Sequence, residues 1–220
     1  MDDVKGDRTY SSPLRTQQAA ATRHAVLEAA RELFIEQGYG ATTVDQIAAR
    51  AGVSKPTVFT AVGNKQTVLS AVRDVAMAGD DEPVAVQERP RAQQIIAEPD
   101  QQRALALLAA HIAGIGRRYS QIDHVLRGAA SSGEPDLREL WETSEGQRLT
   151  GARIWANALA GKGELRSGVD LDRAVDLLWL YMAPDVYYRM VHGRGWTPER
   201  YEAWLLDTLC RQLLPPTKEN

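Results

Sequence analysis

The stretch Thr42–Lys65, "TTVDQIAARAGVSKPTVFTAVGNK", decides how the rest of the chain is read. Thr43 stands three residues ahead of Gln46, the spacing at which the two side chains satisfy each other's backbone N–H groups at a helix start. The helix they open runs only to Gly52, a residue that adopts a left-handed cap at least cost. Val53 follows as a turn residue that can tuck inward. Ser54 then caps a second helix with Pro56 in its first turn, where a missing backbone N–H costs nothing. Two short helices joined by a glycine turn make a helix-turn-helix, whose second member can lie in the major groove of DNA. Behind the Ser54 cap, its exposed early residues are Lys55, Pro56, Thr57 and Thr60.

Working outward, "RHAVLEAARELFIEQG" (23–38) places Ala25, Val26, Ala29, Ala30, Leu33 and Phe34 on one stripe and stops at Gly38, which predicts an amphipathic helix packed on the pair. Asn64 caps a further helix through Val68, Leu69 and Val72. Residues 1–16 are polar and contain Pro13, so they read as a mobile arm, and 17–78 as the helix-turn-helix domain with its connecting helix. From Gly79 to Pro99 the composition turns to charge and proline, "GDDEPVAVQERPRAQQIIAEP", a surface junction with one short helix near Ala92–Ala97. Beyond it, 79–220 forms a second helical domain. Asp100 caps a long helix through Tyr119, another covers roughly 122–130, and 135–160 makes a third of about seven turns. After a loop at 161–168, Asp170 caps a helix over 171–193 that Pro184 kinks, and Thr197-Pro198 starts the last. Helical periodicity dominates and β alternation is nearly absent, so the fold class is all-α, with an N-terminal helix-turn-helix domain ahead of a second all-helical domain.

Composition sets limits on partners. The 220 residues are 44% hydrophobic, enough for a sizeable core, and a net charge of −3 argues against a wholesale polyanion binder. Residues 1–79 carry net +1 and the remainder −4, so contact with nucleic acid falls to one end. Arg8, Arg15 and Arg23, in or beside the arm, can reach a minor groove or simply stay solvated. The one cysteine, Cys210, excludes an intrachain disulfide and reads as a small buried hydrophobe. No HExxH, P-loop or G-x-S-x-G pattern occurs, no metal or cofactor is expected, and "GIGRRY" (114–119) reads as small-residue packing. Apolar runs such as "LLWLYMAP" are too short for a membrane span, and nothing at the N-terminus looks like a signal segment, so a cytoplasmic protein is expected.

Residues 22–72 resemble the N-terminal domain of the TetR family of bacterial transcriptional regulators, carried by "AARELFIEQGYGATTVDQIAARAGVSKPTVF" followed by "NK" opening a helix. The resemblance implies a three-helix DNA-binding domain ahead of an all-helical ligand-binding and dimerisation domain, in a dimeric regulator of double-stranded operator DNA, most often a repressor released by a small molecule. It also assigns phosphate contacts to Thr43 and to Lys65 with the backbone N–H groups beside it. The departure lies at Thr60, Ala61 and Val62, where the family commonly has a polar residue, tyrosine and phenylalanine. Val62 still fills a core position, but Ala61 offers no hydroxyl for a phosphate.

For the ligand, aromatic rings with polar tips suit an amphipathic cavity, and the candidates are His111, Trp141, Trp155, Trp179, Tyr181 and Tyr187, with Tyr188 beside them. The helices over 171–193 and 198–213 carry more apolar surface than one core stripe needs. By the resemblance they pair with their symmetry mates through Leu171, Val175, Leu178, Met182, Tyr201, Leu205 and Leu209. The competing reading is an all-α enzyme or small-molecule carrier with a coincidental helix-turn-helix. The missing catalytic constellation counts against the enzyme and the fifty-residue match against the carrier.

Overall fold

The computed structural model describes residues 13–82, 84 and 86–216. Every regular element among them is helical: α1 (Pro13–Ala41), α2 (Val44–Ala51), α3 (Lys55–Ala61), α4 (Lys65–Ala78), a 3₁₀ turn (Val86–Glu88), α5 (Pro90–Ala97), α6 (Gln101–Ala130), α7 (Pro135–Ala160), α8 (Leu171–Tyr181), α9 (Pro184–Tyr187) running into a π-helical turn (Tyr188–Gly193), and α10 (Pro198–Leu213). The cap residues set the starts. Thr43, Ser54, Asn64, Asp100, Asp170 and Thr197 each accept a backbone N–H from the residue three further on. Gly38, at φ 79, breaks the regular geometry of α1 where the sequence placed its end.

Three expectations are corrected. Helix α1 starts at Pro13, so residues 13–16 are helical rather than part of an arm, and the rest of the arm, with Arg8, lies outside the described residues. The two helices expected over 100–130 are one, because nothing between Tyr119 and Ile122 breaks a helix and the buried residues keep their period across it. Pro184 does not kink a continuous helix. It starts α9 after a break at Met182–Ala183, since proline is tolerated in a first turn and not in an interior.

Two apolar cores share α6, whose 30 residues span about 45 Å. Its N-terminal half, with Leu105, Leu108 and Ile112, packs with Trp155, Leu159, Val175, Leu178, Tyr201, Leu205 and Leu209. Its C-terminal half, with Tyr119, Ile122 and Leu126, belongs to the other core, together with Val26, Phe34, Ile47, Val58, Val68, Leu69 and Val72. The core of the N-terminal helices is therefore completed by a helix from beyond residue 79.

Gly116 is the tightest point of α6. A Cβ there would lie 2.6 Å from ring atoms of Tyr187, so the glycine of "GIGRRY" is a packing residue. Gly116→Ala is expected to cost about 1–3 kcal/mol in chemical denaturation. Gly128→Ala, on the same helix with open space around it, is expected to stabilise by a few tenths to about 1 kcal/mol.

Candidate DNA-reading head and ligand cavity

Helices α2 and α3 are held at the angle of a helix-turn-helix by their caps and by α1. Thr43 and Gln46 form the reciprocal capping box, with Thr43 N donating to Gln46 Oε1 at 2.8 Å. Gly52 turns the chain at φ 68, and Val53 N donates back to Ala48 O. Behind this pair, Arg50 forks onto Glu32 and Glu36 of α1 at 2.9 and 3.0 Å.

The polar side chains expected to meet DNA are already engaged with one another. Ser54 Oγ and Thr57 Oγ1 share a 2.7 Å hydrogen bond, Thr60 Oγ1 donates to Pro56 O, and Lys55 Nζ pairs with Asp45 at 2.9 Å. The Lys55 pair is solvent-exposed on both sides, and such pairs contribute little, so exchanging Asp45 for a phosphate or a base edge is cheap. Lys65 stands differently from the other candidates. Its ammonium donates to Tyr39 O at 3.1 Å and lies 4.2 Å from the Tyr39 ring centre, tying α4 to the end of α1. Arg23 is likewise committed, to Asp81 at 2.6 Å and to Ala61 O, and is not free for a groove, whereas Arg15 is exposed.

Sequence reasoning passed over Phe59. It is 48% exposed on the outer face of α3, because Val58 and Val62 supply the inward positions.

A cavity of about 1220 Å³ lies between α4, α6 and α7, with Met182 and Pro184 closing one side. Of the six expected ligand residues it is lined by His111 and Trp155 alone. Trp141 packs in the core shared with the head, and Trp179 lies at the surface beneath the Arg148 guanidinium. Tyr181 meets Trp204 edge-on, and Tyr187 is buried between Gly116 and Tyr201. An aromatic ring with a polar tip is equally good core filling, which is why that rule selected core residues.

The missed lining residues include Ser70, Ala71, Arg73, Asp74, Met77 and Ala78 of α4, together with Tyr119 and Asp123 of α6. Arg73 and Asp123 are polar residues at apolar-period positions, buried at 7% and 2% exposure, and that was the legible signal. Burial pushes the Asp123 carboxyl above the usual carboxylate range, against the pull of Arg127. The His111 imidazole is driven down to about 4 by burial and then by Arg118 and Arg91, so it is neutral near pH 7.

Five of the seven expected interface residues, Val175, Leu178, Tyr201, Leu205 and Leu209, are buried inside the chain. Met182 is half-buried against the cavity, and only Leu171 is exposed. Periodicity marks an apolar face without saying whether its partner is in the same chain. The large apolar side chains left exposed on this side are Leu171, Trp179 and Leu180 of α8 and Leu149 of α7. Among the described residues no group of three or more His, Cys, Asp or Glu is placed to hold a metal, and no helix is long and apolar enough to cross a membrane.

A two-helix DNA-reading head joined by α4 to a helical body with a cavity defines the class: a helix-turn-helix regulator. Residues 26–72 match the sequence model of bacterial regulatory proteins, tetR family. The uncharacterized HTH-type transcriptional regulator YdeS of Bacillus subtilis is 29% identical over 175 residues, covering 77% of this chain and 78% of its own. Among solved structures, FadR from Bacillus subtilis in complex with stearoyl-CoA superposes with TM-score 0.65 at 19% identity, over 84% of this chain and 96% of that one. NalD, the secondary repressor of the MexAB-OprM multidrug efflux pump in Pseudomonas aeruginosa, gives 0.61 at 22%, over 88% and 96%. Over residues 26–72 the chain is thus similar to the bacterial regulatory proteins of the tetR family, and as a whole it is a TetR-like helix-turn-helix regulator.

The buried neutral His111 has a consequence for stability. Its pKa is lower in the folded chain than the ordinary 6.5, so the unfolded chain takes up the proton first. The stabilisation is complete above pH 6.5 and is lost as pH falls towards 4. His111→Gln is expected to flatten the fall in thermal midpoint across that window relative to wild type, as followed by circular dichroism.

Proposed function

We propose that this regulator is a cytoplasmic homodimeric repressor which leaves a near-palindromic operator when a small molecule fills the cavity. The observation that carries the reading is that α4 serves two sites at once. Its Val68, Leu69 and Val72 complete the core under the reading helices, while Ser70, Asp74, Met77 and Ala78 form a wall of the cavity. Two heads on one face of a duplex must sit about 34–36 Å apart to occupy successive major grooves. A ligand that moves α4 changes that spacing. FadR in complex with stearoyl-CoA and the repressor NalD share this fold, which supports a cavity ligand and a repressor role without naming either.

Base and phosphate contacts fall to Thr43, Ser54, Lys55, Pro56, Thr57 and Thr60, with Phe59 added as an apolar surface for a thymine methyl group. Lys65 positions the head through Tyr39 instead of gripping phosphate itself. The dimer contact falls on the exposed residues of α8 and α7, Leu171, Trp179, Leu180 and Leu149. That the relatives are transcriptional regulators supports a role without catalysis.

Thr57→Ala and Phe59→Ala are each expected to weaken binding to the DNA flanking this gene by about 1–3 kcal/mol, with the melting temperature unchanged. Gel shifts that match wild type for both variants would sink the reading-helix assignment. Leu180→Asp is expected to yield a stable monomer in light scattering. Leu178→Asp, at a buried position, is expected to lower the stability of the domain itself.

A further inference from the structure

The cavity is not evenly lined. One part is apolar, with Ile112, Ile115, Ile154, Trp155 and Met182. Another gathers Arg73, Tyr119 and Asp123, all at 7% exposure or less. In this part a buried hydrogen-bond donor lacks an acceptor. Arg73 Nε makes no hydrogen bond, and the Tyr119 hydroxyl stands among Arg73, Ser144 and the Asp123 carboxyl without a well-formed one. An unmade hydrogen bond at a buried donor is costly, so such groups call for an acceptor.

Arg73 also decides which acceptor. Its Nη1 pairs with Asp74 at 2.5 Å and its Nη2 donates to the Gln147 side-chain oxygen, a bridge from α4 to α7. Nε and Nη2 form one edge of the planar guanidinium, the edge that a carboxylate takes in two parallel bonds. Gln147 satisfies half of that edge with a neutral oxygen. A carboxylate satisfies both halves in two parallel bonds and adds the attraction of opposite charges. Asp123 is paired with Arg127 at 3.3 Å, which offsets its charge towards an incoming anion.

We propose that the cavity takes an amphipathic carboxylate, whose head displaces Gln147 from Arg73 and whose tail lies along Ile112, Ile115, Ile154 and Trp155. The inference rests on the cavity being the effector site and names the effector's class. Arg73 is then both the reader of the head group and the point at which reading it frees α4 from α7. Binding of the carboxylate exchanges the Arg73–Gln147 contact for one with the ligand.

The test uses the purified full chain and three probes with one tail, dodecanoate, dodecyltrimethylammonium and dodecanol, each below its micellar concentration, followed by titration calorimetry. Dodecanoate is expected to bind at least about tenfold more tightly than the other two. Arg73→Gln is expected to erase that preference, bringing dodecanoate to the level of dodecanol, and Arg73→Lys to restore part of it. Tyr119→Phe, which removes a hydroxyl donor beside Arg73, is expected to weaken dodecanoate by a few-fold. Equal binding of the three probes, tighter binding of the cation, no binding of the carboxylate, or a preference that survives Arg73→Gln overturns the proposal. A parallel operator titration separates the two readings. Arg73-dependent binding of dodecanoate that leaves DNA affinity unchanged would retain the head-group assignment and sink the regulatory role of the cavity.

Discussion

Helix α4 is bound at both ends and in the middle, and the arrangement of the protein depends on those three attachments. At its N-terminus Lys65 reaches the Tyr39 carbonyl and ring of α1. Near its C-terminus Arg118 of α6 donates to the carbonyls of Ala76 and Met77 at 3.2 and 3.3 Å, groups that a helix end leaves without internal partners. Midway, Arg73 reaches Gln147 of α7. The first attachment belongs to the reading head and the other two to the body. A helix held in this way carries α2 and α3 with it when it turns, because its apolar face is part of their core, and close-packed cores do not yield gradually.

The same attachments explain why the boundary near residue 78 is real in sequence and weak in space. Composition changes sharply at Gly79, where charge and proline replace the apolar period. Yet Tyr119, Ile122, Leu126 and Leu137 from beyond the boundary are buried with Val26, Phe34 and Val68 from before it. Arg23 adds a polar tie, holding Asp81 of the junction and the Ala61 carbonyl at the end of the reading helix. Head and body thus share a core as well as a connection, which a composition profile cannot register.

What was legible in the sequence was local. Caps at Thr43, Ser54, Asn64, Asp100, Asp170 and Thr197 are short-range hydrogen-bond problems with few solutions, and every one is realised. The choice of partner was not local. Leu178, Leu205 and Leu209 have the spacing of an interface stripe, but α6 is near enough to bury them within the chain. Lys65 occupies a helix start suited to an anion and is claimed by a carbonyl from α1 instead. The cavity arises where α4, α6 and α7 diverge, so its lining follows packing angles that no residue type declares. Only Arg73 and Asp123, polar at apolar positions, gave it away.

The energetics of switching follow from how little the attachments are worth. A single neutral hydrogen bond contributes about 0.5–1.5 kcal/mol net, and one to a charged group about 1.5–3. In the proposed switch, exchanging one bond to Gln147 for two to a carboxylate at Arg73 adds one charge-assisted bond, about 1.5–3 kcal/mol, of the same order as allosteric free energies generally, about 1–3 kcal/mol. Lys65 and the apolar face of α4 are untouched by that exchange, so the reading head stays folded while its connection to the body loosens. The Arg118 attachment to the last carbonyls of α4 also stays, and it fixes the pivot. With the far end held and the middle released, the motion left to α4 is rotation about Arg118, and the end carried furthest is the one that bears α2 and α3. Coupling of this size would shift the proposed operator equilibrium by a factor of about 5–150, small enough to reverse when the ligand leaves.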